Sequence, residues 1–193
     1  MNFFRRLTAI AFVSMAMMMV VTLEGGVAHA QMPPDTQFVE DIRDKKYGDS
    51  MTYLVNGGPP NVRDYNGIPA IVAAAKIGEA GMVKEILKYG GNVNMATKKG
   101  RVTALMQGSA RGYVMVIAVL MTNNADMDAQ DDLGQTALIK AVQEGKREIV
   151  GYLIDAGADI YISDYSGYTA NDHAQRNRDS RIKSMMKKAM AGQ

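Results

Sequence analysis

The residues able to do chemistry are few, and their spacing argues against most of it. The chain has two His and no Cys. Beyond residue 30 the remaining His is His173, next to Asp172. General acid–base and nucleophilic catalysis need a base and its partner brought to one point. Neighbours at i and i+1 on a helix face different ways, so His173 reads as a cap or surface residue. Asp126, Asp128, Asp131 and Asp132 lie close in sequence. They lack the glycine at the sixth position and the closing Glu of a calcium loop, so they read as turn formers on solvated fingers. Without Cys or paired His, no metal site is assigned. Gly57-Gly58 and Gly90-Gly91 lack the Lys-Ser/Thr that completes a phosphate loop. Most Met beyond residue 30 sit at apolar positions, where core filling explains them better than copper sensing. The expectation is a non-catalytic protein with no cofactor.

What remains is surface, and the elements that carry it recur. Residues 131–163 read DDLGQTALIKAVQEGKREIVGYLIDAGADIYIS. Asp131 and Gly134 make a turn, and the Thr136 hydroxyl can cap the helix that follows. Ala137, Leu138, Ala141 and Val142 share one face of that helix, and Gly145 stops it. A second helix places Ile149, Val150, Leu153 and Ile154 on one face and ends at Gly157. Two helices this short cannot bury their apolar sides alone, so they need neighbours of the same shape. The turn glycines Gly67, Gly100, Gly134 and Gly167 are spaced by 33, 34 and 33 residues. Gly78, Gly112 and Gly145 follow the first helices, and Gly90, Asn124 and Gly157 follow the second, each set spaced by 34 and 33. Asn124 is the usual substitute for Gly in a left-handed cap.

This pattern resembles the ankyrin repeat, D-x-x-G-x-T-P-L-H-x-A-A-x-x-G with a second helix ending L-L-x-x-G-A-D. It appears as DDLGQTALIKAVQEG with YLIDAGAD, DYNGIPAIVAAAKIG with EILKYGGN, and GRVTALMQGSARG with VLMTNNAD. The resemblance covers roughly residues 36 to 190. It implies an all-α solenoid of about five stacked helix-turn-helix repeats with short β-turn fingers. The family's Pro is replaced by Ala70, Ala104, Ala137 and Ala170, and its His by Val72, Met106, Ile139 and Asp172. Pro69 stands where the capping Thr belongs. The family's inter-repeat His hydrogen bonds are therefore absent.

The first thirty residues are a separate object. Arg5 and Arg6 precede an apolar run from Leu7 to Leu23, and Ala28-His29-Ala30 fits a signal-peptidase site. Cleavage after Ala30 and export to the periplasm are expected; secretion or an uncleaved membrane anchor is the alternative. Without residues 1–30 the net charge falls from +2 to +1, which makes no electrostatic case for nucleic acid.

The rest divides into a flexible lead over 31–36, an N-terminal capping repeat over 37–63, and full repeats over 64–96, 97–130 and 131–163. A C-terminal capping repeat and tail occupy 164–193. The outer face of the first cap carries Glu40, Asp41, Arg43, Asp44, Lys45 and Lys46. The repeat 97–130 holds one extra residue, placed in the turn Lys98 to Val102, because an insertion inside a helix would rotate its apolar face outward. Its second helix, from Tyr113 to Met121, is apolar nearly all round, which implies deep burial. The last helix carries Arg181, Lys183, Lys187 and Lys188, a polar cap or a contact for anionic lipid.

Within the resemblance, fingers and first helices line a groove that holds partners. The positions mapped there are Arg63, Tyr65 and Asn66; Lys98, Lys99 and Arg101; Gln130 and Asp132; and Ser163, Tyr165 and Tyr168. Tyr and Arg bring large contact area with a polar tip. The basic TKKGR, acidic DMDAQDD and Tyr-rich YISDYSGY fingers suit a folded protein better than a polyanion. The expected partner is another protein, of the cell envelope, held by a monomer. The resemblance also allows an inhibitor or immunity partner of an envelope enzyme, an envelope scaffold, or a stress-protection accessory.

Overall fold

The computed structural model describes residues 32–191, so the leader and its cleavage site lie outside the described residues. Among the described residues ten helices follow one another in five helix-turn-helix pairs. They are α1 (Pro34–Arg43) and α2 (Tyr47–Val55), α3 (Ala70–Ile77) and α4 (Ala80–Lys88), and α5 (Ala104–Arg111) and α6 (Val114–Thr122). Then come α7 (Ala137–Gln143) and α8 (Arg147–Asp155), and α9 (Ala170–Arg176) and α10 (Ser180–Ala191). Each pair packs on the next through its first helix, and from α4 onward through its second helix as well. The result is an all-α repeat stack, as the spacing of the glycines predicts.

Composition explains the stacking. Ala70, Ala73, Ala74, Ala104, Gly108, Ala137, Ala141, Ala170 and Ala174 lie on the first helices, all buried. Small side chains let those helices approach closely, and the first helices contact one another more extensively than the second helices do. The first helices, mostly buried, therefore form the inner row of the stack, and the half-exposed second helices the outer one. Larger side chains fill the space between the layers, among them Ile71, Ile86, Leu105, Ile117, Leu120, Leu138 and Ile149. Phe38 closes the first pair by stacking on Tyr53, ring centroids 4.4 Å apart.

The helix ends follow the sequence closely. Thr103, Thr136 and Thr169 each accept the N–H three residues on, at 3.3 Å. Asp172 completes the last cap by accepting the N–H and the hydroxyl of Thr169. Asn124 takes the left-handed backbone, with φ of 59°, where the other repeats use Gly90 and Gly157. Arg178 stands where the last repeat lacks its glycine, and there Asn177 turns the chain in an extended conformation. Its side chain donates to the Val142 carbonyl at 2.6 Å.

Four expectations need correction. The lead is shorter than 31–36, because α1 begins at Pro34. A Pro at the first helical position loses no hydrogen bond and its fixed φ suits the helix. Asp41 and Arg43 do not belong to a solvated outer face: Asp41 is buried, and Arg43 pairs with Asp64 of the next repeat. Asp131 is buried too. Finally, α6 is not buried all round. Val116, Ile117 and Leu120 face the core, but Met115 is 70% exposed. Second helices form the outer layer of the stack, so half of each meets solvent whatever its composition.

Candidate partner-binding surface

Three of the four fingers are tight turns built on one buried acid. In the first, third and fourth fingers this acid is Asp64, Asp131 and Asp164, all under 8% exposed. One carboxylate oxygen folds the turn. Oδ1 of Asp64 accepts the N–H of Ile68 at 2.7 Å, that of Asp131 accepts Leu133 and Gln135 at 2.9 and 2.8 Å, and that of Asp164 accepts Ser166 and Tyr168 at 2.9 and 3.0 Å. The other oxygen ties the finger to a first helix. Asp64 pairs with Arg43 on α1, Asp131 with Lys140 on α7 at 2.7 Å, and Asp164 with His173 on α9 at 2.8 Å. Burial pushes the Asp164 carboxyl up, but hydrogen bonds from His173 and from the N–H groups of Tyr168 and Ser166 outweigh it, and its pKa falls below the usual value. Asp64 is lowered in the same way, burial being outweighed by the Ile68 N–H and Arg43.

The second finger lacks the acid. The Thr97 hydroxyl replaces it, accepting the N–H of Val102 at 2.9 Å and donating to the Lys99 carbonyl at 2.7 Å. The extra residue lies here: Gly100 and Arg101 both take the left-handed backbone, with φ of 82° and 50°.

The fingers are then fastened to one another. The N–H groups of Lys98, Asp132 and Tyr165 donate to the carbonyls of Gly67, Gly100 and Leu133 in the preceding fingers, at 3.1, 3.0 and 3.0 Å. The Asp132 carboxylate accepts the Gly100 N–H at 2.8 Å. Arg63 spans two repeats, donating to the carbonyls of Gly67 and Ala96 at 2.9 and 2.6 Å. Gln130 does the same two interfaces further on, reaching Gly134 and Ser163 at 2.7 and 3.0 Å. Behind the fingers Asn61, Asn94 and Asp128 each accept an N–H of the following repeat, from Asn92, Asp126 and Asp159. These bonds stand in for the missing family His and give the turn acids a structural task.

The eleven predicted residues thus separate by role. Arg63 and Gln130 are struts, their polar ends consumed by carbonyls. Asp132 is half strut, half surface. Tyr168, 37% exposed, lies under the Arg176 guanidinium at 3.9 Å, with the His173 ring edge-on at 5.9 Å. Asn66 and Ser163 are exposed beside their turns. Tyr65 and Tyr165 project from the tips, 72% and 69% exposed. Lys98, Lys99 and Arg101 are exposed and make no ion pair among the described residues. Sequence reasoning missed Leu133, a tip residue 64% exposed. Its signal was an apolar residue directly before a turn glycine, where a polar one is expected. Sequence reasoning also missed Arg176, whose role depends on a ring eight residues back in the chain.

His173 has little freedom for chemistry. Nε2 donates to Asp164, and the Gln143 side-chain amide lies 3.3 Å from Nδ1. The imidazole works as a strut between finger and helix.

The family model described as "Ankyrin repeats (3 copies)" matches residues 42–131 and 106–189. The chain belongs to the ankyrin-repeat family. It is 38% identical over 133 residues to mouse (Mus musculus) ankyrin repeat and SAM domain-containing protein 6, a match covering 67% of this chain and 15% of that protein. An ankyrin repeat-containing protein of Treponema pallidum (strain Nichols) is 26% identical over 145 residues, covering 75% of this chain and 49% of the relative. The chain therefore spans half or less of the length of these relatives. An ankyrin-repeat stack is a protein-binding module, and here the surface it offers is a row of internally braced fingers with aromatic, basic and apolar tips.

Proposed function

We propose that this ankyrin-repeat protein acts without catalysis of its own, exported to the periplasm, where its finger row and inner helices grip one protein of the cell envelope. Inhibition or immunity toward an envelope enzyme is the specific role this reading favours. The observation that supports it is the division of labour in the fingers. Their bases are closed by buried acids, Arg63 and Gln130, while Tyr65, Leu133 and Tyr165 stand out in solvent. Holding large apolar side chains exposed on a braced frame costs folding nothing and lowers the ordering cost of binding. A groove of this kind buries on the order of 800 Å² per partner, enough for a specific complex.

The second reading is a scaffold or stress-protection accessory held at the membrane by the basic last helix or by an uncleaved leader. Exposed Arg181, Lys187 and Lys188 on α10 favour it. Against it, Ile182 and Met186 of α10 are buried in the stack, so the helix offers lipid its charges and little apolar area.

The deciding experiment is affinity capture from envelope extract with the native chain and with Tyr65→Ala/Tyr165→Ala. The proposal expects one envelope protein retained by the first and lost by the second, with thermal stability lowered by no more than a few degrees. Retention by both would remove the fingers from the site. Vesicle binding abolished by Lys187→Glu/Lys188→Glu, with no protein captured, would favour the second reading.

A further inference from the structure

The outer side of the stack carries a second feature, independent of the fingers. Helices α4, α6 and α8 lie side by side there, nine residues each. Their outward positions repeat in register. The second position holds Gly81, Met115 and Glu148; the fifth holds Lys84, Ala118 and Gly151; the ninth holds Lys88, Thr122 and Asp155. At these positions the central helix carries no charge, while one neighbour carries Lys84 and Lys88 and the other Glu148 and Asp155. Met115 is 70% exposed, and Ala118 and Val119 are half-buried beside it. A helix apolar on every side is normally covered on every side, and α6 is covered on one.

The flanks indicate what covers it. On α4 the exposed charges include Lys84 and Lys88, the latter 3.0 Å from Glu85. On α8 they include Glu148 and Asp155, exposed, with no ion-pair partner among the described residues. Apart from Glu85, held by Lys88, and Arg147, held by Asp179 at 2.9 Å, one side of the strip carries cations and the other anions. Such a surface complements itself. We propose that it docks a second copy of this chain about a twofold axis running along α6.

That axis sets α6 against α6 and brings α4 of each copy over α8 of the other, ninth position against ninth. Lys88 then opposes Asp155 of the second copy, and Lys84 lies within one turn of Glu148. An axis across the helices would instead set like charge on like, which the interface avoids. Three helices of nine residues, about 13 Å long and about 10 Å apart, give about 400 Å² per copy. That is half of a standard interface, so the dimer is weak and reversible. Docked by their outer sides, two copies leave both finger rows free, and a partner bearing two epitopes is held more tightly than one copy could hold it.

Sedimentation equilibrium of the purified protein tests this, from about 10 to about 500 µM, the range the small area implies. The proposal expects a monomer–dimer equilibrium that Met115→Glu weakens at least tenfold. The urea midpoint should stay unchanged, because Met115 makes few contacts within its own chain. Lys84→Glu/Lys88→Glu should weaken the dimer similarly, and adding Glu148→Lys/Asp155→Lys should restore it. A monomer throughout the range overturns the proposal. So does a dimer indifferent to Met115→Glu, or a strip that binds phosphatidylglycerol vesicles without self-association. Loss of envelope-protein capture with the dimer intact would strike the finger reading alone.

Discussion

Gly134→Ala, set against Gly167→Ala, measures how much one finger leans on the next. Both glycines occupy the same turn position, with φ of 75° and 83°. A Cβ at Gly134 would come within 2.6 Å of the Tyr165 backbone N and ring, while a Cβ at Gly167 would meet nothing within 4 Å. The left-handed conformation costs Ala about 1–2 kcal/mol in either place. At Gly134 the clash also pushes the last finger away and loosens the bond from the Tyr165 N–H to Leu133, adding about 1–2 kcal/mol. The expected losses are about 1–2 kcal/mol for Gly167→Ala and about 2–4 kcal/mol for Gly134→Ala, read from urea unfolding midpoints at constant slope. Amide exchange should also quicken at residues 164–169 in Gly134→Ala. Equal losses would refute the claim that fingers brace each other through their glycines.

Gln130→Ala removes two carbonyl partners at a finger base and should cost about 1–2 kcal/mol, with faster exchange at Ser163 and neighbours; an unchanged urea midpoint would return Gln130 to the surface. Asp131→Ala leaves the half-buried Lys140 without its buried partner and unties the third finger, so a loss of about 3 kcal/mol is expected in the same assay. The acid carboxylates Asp64, Asp164 and Asp172 all have lowered pKa values in the fold, Asp172 through hydrogen bonds from the Thr169 hydroxyl and N–H. Their contribution is therefore present above the ordinary carboxylate value of 3.8 and is lost as pH falls below it. Thermal stability measured down the acid range should fall there, and Asp164→Asn should make that fall shallower.

The fold was largely legible because glycines and caps obey local rules. Gly78, Gly112, Asn124 and Thr136 do in three dimensions what their backbone and side-chain chemistry requires of them alone. The bases of the fingers were harder to read. Arg63 looks like a free cation in sequence, yet its partner is the Ala96 carbonyl one repeat away. A polar residue at a finger base can always reach one repeat on, a regularity the repeat length contains but residue type does not reveal. The acidic run misled for a related reason. Asp131 folds its own turn from inside, whereas Asp132 beside it is exposed, and alternation in a turn is set by backbone angles rather than by charge. Apolar pattern misled at α6, because which layer a helix occupies depends on its place in the pair.

Photocrosslinking in the living cell tests the central claim most directly. A photoreactive residue placed in turn at Tyr65, Leu133 and Tyr165 should capture one and the same protein, while one at Thr52, exposed on α2, should capture none of it. Capture of that protein from Thr52, or of nothing from all three tips, would contradict the account.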